Sequence, residues 1–131
     1  MIPASLRTWF VVHFVLDLAF AVPLFVAPQS VLEFFGWTMV DPVAARLVAA
    51  ALFGIGIQSF IGRNEGPEAF RAMLNLKVIW SASATLGIFV SLLQGAPKLA
   101  WVVLAIFLGF NLVWTYFAVV LRRVPAERAG R

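Results

Sequence analysis

The chain has 131 residues, 63% of them hydrophobic and 12% charged, with ten Lys and Arg against six Asp and Glu for a net charge of +4 and a mean hydropathy of +0.97. A soluble domain carries roughly 25% charge and about 45–50% apolar residues, so an ordinary water-soluble fold is excluded, and bases set beside long apolar runs point to a membrane surface and not to nucleic acid. With no cysteine there is no disulfide, thiolate metal site or Cys-x-x-Cys redox pair, and the single histidine, His13, excludes a two-histidine haem site within one chain. Neither a metal site nor a cofactor is expected.

The first apolar stretch of spanning length runs from Trp9 to Ala27 and ends at Pro28; about 20 residues cross a hydrocarbon core of ~30 Å. Arg7 ahead of it and Ala19-Phe20-Ala21 within it imitate a signal peptide. His13 and Asp17 interrupt the would-be apolar region and the run continues to Ala27, so the segment is expected to stay in the membrane. In the loop that follows, Ser30-Val31-Leu32-Glu33 matches a capping box ahead of Phe34-Phe35-Gly36-Trp37. That pattern predicts a short interfacial helix with its aromatics at headgroup level, as expected too for Trp9, Trp101 and Tyr116 near other boundaries.

The second span, Val43 to Ile61, is announced by Asp41 as N-cap and Pro42 as first helical residue, with Gly62 as its C-terminal cap. Gly66-Pro67 starts the third helix, whose span is Met73 to Leu93. Gln94-Gly95-Ala96-Pro97-Lys98 is short enough to close a tight antiparallel hairpin onto the fourth span, Leu99 to Leu121, before the basic tail 122–131. The expectation is an all-α membrane protein: a single domain, a four-transmembrane-helix bundle.

Four spans put both termini and the second loop on one side. Arg7, Arg63, Arg71, Lys77, Arg122, Arg123, Arg128 and Arg131 fall there, against Arg46 and Lys98 opposite. The positive-inside rule makes that side cytoplasmic, giving an N-in/C-in multi-pass protein of the cytoplasmic (inner) membrane. Arg122, Arg123, Arg128 and Arg131 can attract anionic lipid or form a solvated tail. Arg46, one turn into the second helix, is expected to pair with Asp41 and Glu33.

Charged groups inside the hydrocarbon are costly, so each is a candidate functional residue. Asp17 lies ten residues beyond Arg7, about 15 Å inward, with His13 four residues earlier on the same helix face. Returning from the same side, Lys77 is about 9 Å beyond Arg71. With Gln58, Asn75 and Asn111, these side chains can share one polar cavity in the inner half, where Asp17 and His13 would relay a proton or bind a cation. The alternative is a clasp, with Asp17 and Lys77 neutralising one another and the amides acting as interhelical glue. Lys77 can also snorkel to the headgroups. Trp80 and Trp114 lie inside spans and are either core filling or the walls of a ligand pocket. Small residues mark expected packing seams: Ala45-x3-Ala49, Ala50-x3-Gly54, Ser83-x3-Gly87-x3-Ser91 and Ala105-x3-Gly109.

From Asp41-Pro42 through Ala45-Arg46-Leu47-Val48-Ala49-Ala50-Ala51-Leu52-Phe53-Gly54-Ile55-Gly56, the chain resembles the small DoxX-like and related four-helix bacterial membrane proteins. In those an arginine early in a helix is followed by small residues and glycines. The resemblance implies the four-helix fold and no particular chemistry. The chain is also similar in size to the small multidrug-resistance transporters, which use one carboxylate in the first helix for proton and cation exchange. Asp17 stands in the comparable place, with Trp80 as an aromatic wall; aspartate in place of glutamate, nearby Lys77 and the firm charge bias are departures.

Three functional classes follow: a binding or accessory bundle that assists a partner, as a homo-oligomer or in a larger membrane complex; a proton-coupled small-molecule or cation transporter or ligand-binding bundle using Asp17 and His13; and a quinone-linked membrane enzyme. The last has least behind it, since no nucleophile triad, metal set or phosphate loop is present.

Overall fold

The computed structural model describes residues 1–123, so Arg128 and Arg131 of the tail lie outside the described residues. Among the described residues there are five α-helices and no strand: α1 (Ala4–Val26), α2 (Pro28–Phe34), α3 (Pro42–Ile61), α4 (Pro67–Leu93) and α5 (Ala100–Arg123), with a 3-10 turn at Gly62–Asn64 after α3. Four of them, α1, α3 with its 3-10 turn, α4 and α5, are long and apolar enough to cross a membrane. All exceed the apolar stretches marked in the sequence, because the helices run on into their polar flanks. α1 starts at Ala4, five residues before Trp9, and α4 at 27 residues is about 40 Å long.

Chain punctuation sets the ends. Asp41 Oδ1 accepts from the amides of Val43 and Ala44 at 2.9 and 3.4 Å, with Pro42 behind it as first helical residue. Pro67 likewise stands first in α4, after Gly66 as an N-cap that makes no side-chain hydrogen bond. Arginines satisfy terminal carbonyls where no side chain caps from within: Arg7 donates to Arg63 O, and Arg71 Nη2 to Leu121 O at 3.1 Å. Cations at helix C-termini also suit the macrodipole. Arg46 belongs to this set: its Nε donates to Phe25 O at 3.0 Å and closes α1. Among the described residues it makes no ion pair with Asp41 or Glu33, so the expected outer-leaflet pair gives way to a helix cap.

The first loop also departs from expectation. Pro28 starts α2 two residues before Ser30, which places Ser30 inside the first turn and away from the N-cap. Glu33 accepts instead from Gln29 Nε2 at 2.6 Å, so no capping box forms. Nor do all the aromatics face outward: Phe34 is 78% exposed, whereas Phe35 and Trp37 turn in and are half-buried. Gly36 takes a φ of +97°, and a Cβ there would stand 3.1 Å from Pro97 Cβ, so the loop lies against the α4–α5 hairpin. Gly36→Ala is expected to cost about 1–2 kcal/mol for the left-handed backbone alone, read as a lowered thermal midpoint in detergent micelles.

Packing divides the bundle into two close pairs, α1 with α3 and α4 with α5. Small residues permit the first: Ala21 on α1 meets a face of α3 formed by Ala45, Ala49, Leu52, Gly56 and Ser59. The two pairs are joined by large side chains at one end, where Leu6 and Phe10 interleave with Phe70, Leu74, Trp114 and Leu121. The Ala45-x3-Ala49 seam is therefore real. Ala50 and Gly54, the Ser83–Gly87–Ser91 stripe and the Ala105–Gly109 pair are exposed among the described residues.

Candidate functional site

α1 and α4 bring the polar residues together at mid-bundle, just above the Phe10–Trp114 plug. Lys77, Asp17 and His13 are 2%, 7% and 5% exposed. Lys77 Nζ lies 2.7 Å from His13 Nδ1 and donates to Ser59 Oγ at 2.5 Å. Ser59 Oγ in turn donates to Ile55 O at 2.6 Å. The ring faces of Phe10 and Trp114 both lie 4.9 Å from the same nitrogen, within the range of a cation–π contact. On the other side of the imidazole, His13 Nε2 is 3.4 Å from Asp17 Oδ1. Buried groups so partnered do not snorkel.

Asp17 and Lys77 are thus not a direct ion pair; His13 stands between them. With Nδ1 accepting from Lys77 and Nε2–H directed at Asp17, every contact in the row is satisfied with one positive and one negative charge. Passing one proton from Lys77 to Nδ1, and one from Nε2 to Asp17 Oδ1, yields an amine, the other imidazole tautomer and a carboxylic acid. Net charge is zero before and after. The second transfer requires the 3.4 Å gap to close to about 3 Å. Gly56 makes room for this row: a Cβ there would stand 2.7 Å from Asp17 Cβ and 3.2 Å from Oδ2.

Asn111 joins from α5, its Nδ2 donating to Val78 O at 3.2 Å and Ser81 Oγ at 3.0 Å, while Ser81 donates to Lys77 O at 2.7 Å. Gln58 and Asn75 are exposed and stand outside the cluster; Gln58 Nε2 is 4.0 Å from Met73 Sδ. Their places are taken by Ser59 and Ser81, which the sequence did not single out. Ser59 is one residue from Gln58, and one residue is about 100° of helix rotation. The signal that finds it is register: Ala45, Ala49, Leu52, Gly56 and Ser59 repeat at spacings of four and three along the buried face.

Above this polar row lies a cavity of about 200 Å³. His13, Asp17, Ser81, Trp80 and Trp114 line its floor, and Val31, Leu32, Phe35 and Trp37 of the first loop roof it. Its sides come from Leu16, Phe20 and Leu24 on α1, Val48 and Leu52 on α3, and Val103, Ile106, Phe107 and Phe110 on α5. Trp80 and Trp114 are therefore walls as well as core. Two of the lining side chains have a buried polar atom without a hydrogen-bond partner, Asp17 Oδ2 and Trp80 Nε1. Such atoms cost about 1–3 kcal/mol each unless satisfied.

Among the described residues no cluster of His, Asp and Glu is arranged to hold a metal ion. No family model, curated protein or solved structure matches this chain, so the site is read from its own geometry.

Proposed function

We propose that this protein is a membrane bundle that binds a small uncharged ring compound in the cavity, through hydrogen bonds to Asp17 and Trp80, with the Lys77–His13–Asp17 row as its proton reservoir. One observation carries the reading: a proton-conserving row of buried groups ends, at Asp17, on the wall of an apolar cavity. A dry cavity of about 150 Å³ accepts benzene, and 200 Å³ adds room for a substituent. Seven aromatic side chains in the lining favour a flat ring. Lys77 already balances Asp17, so the site has no surplus negative charge to select an organic cation, which favours a neutral ligand over the cation of the multidrug-transporter comparison. A ring hydroxyl can donate to Asp17 or accept from Trp80, lining residues that each carry an unpartnered polar atom. Proton-coupled transport requires the same binding step, and release of protons on saturation is its signature.

The orientation belongs to the same proposal. With Lys77 buried at mid-bundle, seven bases remain on the side of the termini against two opposite, which supports N-in/C-in insertion in the cytoplasmic membrane, and α2 with exposed Phe34 suits an interfacial position. Arg122 and Arg123, exposed in the last turn of α5, suit anionic headgroups. The resemblance to DoxX-like proteins rests on residues 41–56, which build the start and inner face of α3. The accessory-bundle reading draws on the exposed small residues of α4, and the quinone-linked enzyme reading on the ring-sized cavity; neither uses the buried row.

The test is 4-methylphenol against toluene on protein in phosphatidylcholine nanodiscs, with uptake by empty nanodiscs subtracted. Expected are saturable binding of both, with 4-methylphenol tighter by about tenfold or more, the worth of one charge-assisted hydrogen bond. Asp17→Asn removes the preference while leaving toluene binding in place, and Val103→Trp, growing into the cavity, abolishes both. Equal binding of the two compounds, or binding unchanged by Val103→Trp, overturns the proposal.

A further inference from the structure

We infer that the ligand of this cavity is a bilayer-dissolved molecule with a single-ring head and an alkyl tail, the ring seated in the cavity and the tail lying in a groove between α1 and α5. The inference rests on the ligand-binding reading above and adds the ligand's shape and source.

The groove has a volume of about 370 Å³, and Trp9, Ala105, Gly109 and Val113 line it. Its remaining walls, Leu16, Phe20, Ile106 and Phe110, are also walls of the cavity. Groove and cavity are thus neighbouring volumes that share four walls, and a tail leaving the cavity for the groove passes where these side chains part. Every residue of the groove is apolar. It follows α1 from Trp9 to Phe20, about 16 Å of helix, well inside the span Ala4–Val26, so in a membrane its open side faces hydrocarbon. A headgroup-bound or water-borne ligand has no reason to lie there; an alkyl chain does.

Ala105 and Gly109 form the floor. They are exposed, and a Cβ on Gly109 would meet nothing within 4 Å, so the groove exists because α5 carries almost no side chain along this strip. Close packing against another helix of this chain does not explain these two residues. A second groove of about 340 Å³ also reaches the cavity wall, through Phe20, Val31 and Phe35 under α2. On α1 it spans only Ala19 to Pro23, about 6 Å, and it ends beside Ser30. That is too short and too near the polar loop for a tail.

The experiment compares 4-methylphenol, a head without a tail, with 4-dodecylphenol in phosphatidylcholine nanodiscs, uptake by empty nanodiscs subtracted. Variants are Gly109→Phe and Ala105→Phe, each placing a ring in the groove, and Gly87→Phe, the same change on an exposed face of α4 where a Cβ also meets open space. Expected is binding of both compounds by the parent and by Gly87→Phe. In Gly109→Phe and Ala105→Phe, 4-dodecylphenol weakens about tenfold or more while 4-methylphenol is unchanged. If 4-dodecylphenol fails to displace 4-methylphenol from the parent, or binds both groove variants as well as the parent, the tail has another path and the inference falls. If 4-methylphenol itself does not bind the parent saturably, the ligand-binding reading falls first. Thermal midpoints close to the parent's show that the groove variants are folded.

Discussion

Lys77→Ala is expected to lower the free energy of unfolding by about 3–5 kcal/mol, the usual cost of removing one member of a buried charged set. Lys77 is 2% exposed, and its ammonium is the partner of His13 and Ser59. Its loss leaves the carboxylate of Asp17 without a balancing charge and the hydroxyl of Ser59 without a donor. Lys77→Met separates charge from volume, because the thioether keeps the length of the stem against Phe10 and Trp114. If the row is electrostatic, Lys77→Met loses nearly as much as Lys77→Ala, and Asp17→Asn with Lys77→Met loses less than the two single changes together. The measurement is equilibrium unfolding in mixed micelles with added sodium dodecyl sulfate, followed by circular dichroism. A Lys77→Met protein within about 0.5 kcal/mol of the parent, the range of surface changes, would show that the cluster is not held by charge.

Gly56→Leu is the second large effect. The added Cβ alone would stand 2.7 Å from Asp17 Cβ, with Leu18 Cδ1 at 3.4 Å. These contacts lie on the packed face between α1 and α3, in line with the buried cluster of Ala21, Ala45 and Ala49. Overpacking of this kind costs about 1–3 kcal/mol, occasionally more. Gly54→Ala, two residues away on the open face, meets nothing within 4 Å and is expected to gain about 0.4–1 kcal/mol from the lost freedom of the unfolded chain. The pair of variants, compared by thermal midpoint and by 4-methylphenol affinity, tests whether Gly56 is there to seat Asp17. Gly56→Leu should lose both stability and affinity, and Gly54→Ala neither.

The four long helices and their caps are legible in the sequence because hydrophobic runs and Asp41-Pro42 or Gly66-Pro67 act locally. Asp17, His13 and Lys77 are legible because charge within hydrocarbon is conspicuous. Which way each helix turns is not. In a helix apolar on every side, hydrophobic periodicity has nothing to contrast with, so Gln58 and Asn75 look as suitable as Ser59 and Ser81. The deciding fact is tertiary: α1 must approach α3 over Ala45, Ala49 and Gly56, and that choice carries Ser59 inward and Gln58 outward. The interposition of His13 between Asp17 and Lys77 is equally invisible beforehand. Spacing of four on α1 puts His13 and Asp17 on one face, but only the position of α4 decides which of them Lys77 reaches. Likewise Phe35 and Trp37 become a roof through the contact of Gly36 with Pro97, 61 residues away in the chain.

The neutral sum of the Lys77–His13–Asp17 row has a bearing on voltage. His13 and Asp17 are four residues apart, about 6 Å along the helix axis, or roughly one fifth of a 30 Å hydrocarbon core. One elementary charge crossing the whole membrane at 100 mV is worth about 2.3 kcal/mol, so the step from His13 to Asp17 exchanges only about 0.5 kcal/mol with the field. On the proposed reading, that step at Asp17 is nearly blind to the membrane potential, and the occupancy of the cavity would follow the concentration of ligand in the bilayer.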